Sequence, residues 1–186
     1  MTDDGASLPT ASLVRRSQHP DEYTDDEVRA AFPGQDRTEL GDTLCGIACV
    51  HMITQFVRGT APDYLGLVRA GVDAGALGER GWIHSGLGEM LTALGVPAHP
   101  TGTRSQAQLL DACERGLPSI VSCSITFPED GSRGGHLVVL LGERSTASGT
   151  RTVFADPSRW GETHRSVESQ RFWSSWSGRA VVLDAD

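Results

Sequence analysis

A cysteine, a histidine and an aspartate, in that order, are the residues of this chain best placed to do chemistry together. Cys45 lies in Asp42-Thr43-Leu44-Cys45-Gly46-Ile47-Ala48-Cys49, at the opening of the most apolar helical run of the sequence. A thiol in the first turn of a helix faces unpaired N–H groups and the positive end of the dipole, which favour the nucleophilic thiolate form. Gly46 beside it leaves room for a substrate carbonyl to approach the backbone. His136 follows two glycines in Gly134-Gly135-His136-Leu137-Val138-Val139-Leu140-Leu141, at the mouth of a strong strand. Asp156 closes the next strand in Val153-Phe154-Ala155-Asp156-Pro157. In an antiparallel hairpin the start of one strand lies beside the end of the next, so His136 and Asp156 are expected to be neighbours. Taken singly, each residue has an ordinary reading: a small buried thiol, a strand-start imidazole, a turn former before proline. Taken in order they read as nucleophile, base and orienting carboxylate.

The elements that must position these groups follow from periodicity and turn signals. Ile47, Val50, Ile53, Val57, Ala48, Met52 and Phe56 cover one broad face of a helix that runs to about Arg58 and stops at Gly59. Thr24 and Glu27 make a capping-box pattern for a short helix ended by Pro33-Gly34. Further helices are expected over 62–74, 85–94 (with Ser85 as N-cap) and 105–115, and one more over about 167–176. After Pro118 the texture changes to short strands, 119–125, 137–141, 152–155 and 180–183. Helices first and strands later predict an α+β domain on an antiparallel sheet.

Composition narrows the function classes. The chain has 186 residues and a net charge of −8, and its 16 basic residues are all arginine. Without lysine there is no Schiff base, no pyridoxal-phosphate lysine and no Walker-A cradle, so no cofactor is expected. An acidic chain is a poor nucleic-acid binder, and its apolar stretches are too short to span a bilayer. The first 35 residues read as an acidic extension with one short helix, of which residues 1–20 lack any apolar period and are expected to be disordered. The chemistry then falls to residues 36–186. No secretory signal is read at the N-terminus, so the cytoplasm is the expected compartment and the four cysteines are expected as thiols. Cys45, Cys49 and His51 on one helix leave the histidine facing away, so no metal site is expected. His84 and Gly135 are candidates for the rim of a cleft, and Trp160 for shelter of the His–Asp pair. The oligomeric state is not legible.

The segments Leu44-Cys45-Gly46-Ile47-Ala48-Cys49, Gly135-His136-Leu137-Val138-Val139, Phe154-Ala155-Asp156-Pro157 and Phe172-Trp173-Ser174-Ser175-Trp176-Ser177-Gly178-Arg179-Ala180-Val181-Val182 resemble the papain-like cysteine peptidases of the C39-like type. The resemblance covers about residues 36–185. It implies a helical half carrying Cys45 packed on a twisted antiparallel sheet carrying His136 and Asp156, and peptide or amide hydrolysis through an acyl-enzyme on Cys45. A peptide or protein substrate is implied, handled by a stand-alone enzyme. Acyl or peptidyl transfer would use the same three residues, and a peptide-binding protein without turnover is the alternative of another class. Two positions depart from the family pattern. Ile47 replaces the usual proline, and Glu39 stands six residues before the nucleophile, where the family has the glutamine that helps to hold the oxyanion. An ionised carboxylate donates no hydrogen bond, and losing one donor costs ~3 kcal/mol of transition-state stabilisation. The backbone N–H of Cys45 is the remaining donor, and the nearest glutamine along the chain is Gln35.

Overall fold

The computed structural model describes residues 8–184. Seven helices and eight strands follow one another as α1 (Asp25–Ala31), α2 (Arg37–Gly41), α3 (Cys45–Arg58), α4 (Tyr64–Asp73), β1 (Leu77–Gly78), β2 (Gly81–Trp82), α5 (His84–Ala93), β3 (Ala98–Thr101), α6 (Gln106–Glu114), β4 (Ser119–Cys123), β5 (His136–Thr146), β6 (Gly149–Ala155), β7 (Ser166–Glu168), α7 (Ser169–Ser175) and β8 (Trp176–Leu183). β3 to β8 form one antiparallel sheet in the order β3-β8-β4-β5-β6-β7, and β1 and β2 make a separate two-stranded ribbon.

The central strands are apolar on both faces because both faces are covered. Leu137, Val139 and Leu141 of β5 join Ile47, Val50 and Ile53 of α3 and Leu87 and Leu91 of α5 in one core. Val138 and Leu140, the alternate residues, join Leu109 and Cys113 of α6 and Phe172 of α7 in a second. The sequence predicts helices against the sheet, and in the structure two of them, α6 and α7, lie on its other face. Local signals act as read at several ends. The Thr24–Glu27 capping box opens α1, a second box of Ser105 and Gln108 opens α6, and Gly59 closes α3 in the left-handed conformation. Ser85 does not cap α5. That helix starts one residue earlier, behind Ile83, with no side-chain cap.

Residues 8–20, expected to be disordered, pack against the domain. Their hold is polar rather than periodic, which is why an apolar pattern gave no sign of it. Arg15 donates to the carbonyls of Asp156 (2.6 Å), Pro157 (3.1 Å) and Ser158 (2.6 Å). The Gln18 backbone N–H donates to Pro157 O at 2.8 Å and its side-chain amide to Gly41 O at 2.9 Å. Tyr64 donates its hydroxyl to Gln18 O, and Thr10 reaches Leu141 O. The segment thus ties the turn after Asp156 to the turn that leads into α3. Residues 1–7 of the expected disordered stretch lie outside the described residues.

Candidate active site

β5 and β6 bring His136 and Asp156 together as a strand start beside a strand end, with Val139 paired to Ala155. His136 Nε2 and Asp156 Oδ1 are 2.8 Å apart, and Asp156 is fully buried. The same Oδ1 accepts the Ser158 N–H at 2.7 Å. Gly161 passes so close behind that a Cβ there would overlap the Asp156 carbonyl. Burial alone would push the His136 ring down. Its hydrogen bonds with Asp156 and with the Cys45 thiol outweigh that and raise it to about 9. Burial would likewise raise Asp156, but the His136 imidazole and the Ser158 N–H hold its carboxyl below the usual range. With Nε2 taken by Asp156, Nδ1 is the ring nitrogen left for the thiol. The pair is therefore an imidazolium–carboxylate couple over the physiological range, with the Cys45 sulfur as the second partner of the imidazolium.

Cys45 occupies the first turn of α3, half-buried, behind an N-cap, Leu44, that offers no side-chain hydrogen bond. Its backbone N–H has no hydrogen-bond acceptor among the described residues, so it is a donor free to meet an incoming oxygen. The other three thiols differ. Cys49, Cys113 and Cys123 are buried, and burial pushes each of them up, Cys113 to about 12. Cys49 and Cys113 donate to strand carbonyls, of Leu137 and Leu140. His51, one and a half turns beyond Cys45, sets its ring edge-on to Tyr64.

Three sequence expectations need correction. Gly46 is not an open approach for substrate, because it lies under the indole of Trp82. A Cβ there would stand 2.8 Å from Trp82 Cβ and Cγ, and Trp82 Nε1 is anchored on Thr43 O at 2.7 Å. Trp160 does not roof the His–Asp pair; it stacks on Phe154 and His164 and meets Phe127 edge-on. Glu39 is exposed and turned back onto α2, where its carboxylate accepts the Asp36 N–H at 3.2 Å in a capping box. It is a helix cap with no part in holding an oxyanion in this conformation, and Gln35 is exposed as well. Gly135, by contrast, keeps a positive φ of 93° with open space around it, and Gly134 packs on Ser177. His84 opens α5 two residues after Trp82 and lines a cavity with Arg179. Arg15 and Arg179 are not marked in the sequence, since an arginine in a polar stretch carries no local signal of what it will touch.

No family model matches the sequence, and no curated protein matches it. Solved structures do. A C39-like peptidase from Bacillus anthracis superposes with a TM-score of 0.64 at 16% identity, covering 99% of each chain. The peptidase domain of Streptococcus ComA, a bifunctional ABC transporter of a quorum-sensing pathway, gives 0.56 at 20% identity over 78% of this chain and 93% of that one. A double-glycine-motif protease from an AMS/PCAT transporter, in complex with the leader peptide, gives 0.52 at 19% identity over 76% and 84%. At these identities the likeness is one of architecture, and this chain has the papain-like α+β fold of the C39-type peptidase domains.

Proposed function

We propose that the protein is a cysteine peptidase that cleaves a peptide or amide bond through an acyl-enzyme on Cys45. The observation that carries this reading is the His136–Asp156 couple, buried at 2.8 Å, with the Cys45 thiol as the partner of the same imidazole. Cys45 Sγ attacks the carbonyl carbon, and the C–O π pair moves onto oxygen, which the Cys45 N–H receives. The His136 proton goes to the leaving amine as the C–N bond breaks, leaving a thioester. Water then gives a proton to His136 and its oxygen to the acyl carbon, and as the C–S bond breaks the acid leaves and the thiolate–imidazolium pair that began the cycle is restored. Asp156 fixes the ring and stabilises its charged form throughout. The substrate is a peptide, a reading supported by the structural neighbour from the AMS/PCAT transporter, which is in complex with the leader peptide. Transfer of the acyl group to an amine shares the first half of this path and is separated from hydrolysis by product analysis. We assign the protein to the cytoplasm on its four unpaired thiols. No helix among the described residues is long and apolar enough to cross a membrane.

Glu39 supports a second reading. Because its carboxylate caps α2, the hole holds one identified donor, the Cys45 N–H, and a peptide-binding protein with slow turnover fits that deficit. Thiol labelling separates the two. Iodoacetamide at neutral pH should modify Cys45 at least tenfold faster than the buried Cys49, Cys113 and Cys123, and His136→Ala should slow Cys45 selectively. Uniform labelling of all four thiols in the folded protein refutes the nucleophile.

A further inference from the structure

Between the start of α5, the end of β3 and β8 lies a cavity of about 380 Å³ lined by Ile83, His84, Ser85, Pro100, Thr101 and Arg179. Its two walls come from the two halves of the candidate site. One wall is the start of α5, which Trp82 ties to Gly46, the neighbour of Cys45. The other is the irregular stretch of β8 between Trp176 and Ala180. There Trp176 pairs with Cys123, Cys123 pairs with His136, and Ser177 packs on Gly134. The cavity therefore sits between an element packed on the Cys45 turn and the strand next but one to that of His136.

Its chemistry is one-sided. The Arg179 backbone is held, with its N–H on Ser177 Oγ and its carbonyl on Trp176 Nε1. Its guanidinium makes no hydrogen bond or ion pair with a described residue, in a chain whose acids outnumber its arginines 24 to 16. His84 Nε2 is shielded from solvent and has no partner. Burial, and then the charge of Arg179, lower its ring, and no carboxylate acts on it. Ser85 and Thr101 add hydroxyls, and Ile83 and Pro100 add an apolar wall. An unspent guanidinium fork, an imidazole lacking a partner and two hydroxyls, with no acid among the lining, suit a planar anion of carboxylate size.

We infer that this cavity is a specificity subsite that takes a carboxylate of the bound peptide, with Arg179 as its principal contact and His84 as the second. This rests on the peptide-processing reading above and adds the substrate class: a peptide acidic at one position near the scissile bond, or one ending there in a free carboxylate. His99 of β3 is not part of it, being paired with Asp184 at 2.6 Å.

The test uses three mixtures of acetylated hexapeptides that are random elsewhere. One has Glu fixed at each position in turn and an amidated end, one has Gln in its place, and one has neutral side chains with a free carboxyl end. Competitive cleavage is read by mass spectrometry. The expected result is a preference of about tenfold for Glu over Gln at a single position, or for the free end over the amide, the preferred mixture identifying the carboxylate's source. Arg179→Gln should bring that ratio close to one, and Arg179→Lys should keep part of it. The ratio is insensitive to how much folded enzyme each variant yields. A wild-type ratio near one at every position, or a ratio unchanged in Arg179→Gln, overturns the subsite. If no mixture is cleaved, the His84 ring signals of the Cys45→Ala variant decide by NMR titration with the same mixtures. A shift with the carboxylate-bearing mixtures only, lost in the Arg179→Gln double variant, supports the subsite and removes the peptidase reading. Identical spectra with all three remove the subsite.

Discussion

Replacing Asp156 by Asn tests the electrostatics on which the site depends. His136 is raised from 6.5 to about 9 in the folded protein, in spite of burial that opposes its charge. That difference corresponds to about 3 kcal/mol in favour of the imidazolium. Linkage fixes the direction. A group whose folded value lies above its unfolded value stabilises the fold fully below the unfolded value of 6.5, and its contribution fades as the pH rises through about 9. Asp156 moves the other way, so its share is present above its ordinary value of 3.8 and is lost as acid protonates the folded carboxyl. The couple therefore contributes most between these two ordinary values. In Asp156→Asn the buried imidazole loses its carboxylate and keeps only the Cys45 sulfur as partner, so the larger part of the contribution disappears. The stability gap between wild type and variant should be widest near pH 6 and narrower by up to about 3 kcal/mol at pH 9.5. For a chain of this length that upper bound is a narrowing of roughly 6–12 °C in Tm. Urea unfolding at the two pH values measures it, and the His136 ring signals should titrate near 9 in the wild type and below 6.5 in the variant. A gap that is constant with pH, or that widens toward alkali, refutes a charged couple.

Two further substitutions test the corrected positions. Gly46→Ala should destabilise the protein by about 1–2 kcal/mol in urea, because the strain of a methyl pressed on Trp82 exceeds the ~1 kcal/mol that Ala gains over Gly in a helix. In a Trp82→Ala background the sign should reverse, and destabilisation by Gly46→Ala there would show that the indole is not the obstacle. Glu39→Gln should leave peptide turnover within about twofold, since its side chain serves the start of α2. A rise approaching a hundredfold would show that residue 39 reaches the oxyanion after all.

The parts of the fold visible in the sequence are those set by short-range signals. Ile47, Val50 and Ile53 at helical spacing, with Gly59 behind them, define α3 without reference to anything distant. The hairpin argument for His136 and Asp156 needed two strands and the antiparallel rule alone. What escaped was short or set by distant partners. β3 is a four-residue edge strand with Pro100 in it, and β7 has three residues, too few to show alternation. α2 has five residues and no apolar period. Gly46 looked like an opening because the residue that fills it, Trp82, comes 36 positions later in a two-residue strand.

The segment at residues 8–20 shows why part of the site could not be read at all. Asp156 is fully buried, and its Oδ2 has no partner, so its charge must be offset by its surroundings. His136 provides most of that offset. The turn that carries Asp156 is also held by Arg15, whose guanidinium spans the three carbonyls of 156–158 and adds a positive charge near the carboxylate. Carbonyl groups are the same in every residue, so nothing in Asp156-Pro157-Ser158 announces that an arginine 141 positions earlier will bind it. Periodicity finds faces that bury apolar area. It is blind to a length of chain held by hydrogen bonds against a backbone, and here that segment links the turn bearing the carboxylate to the turn from which the nucleophile's helix begins.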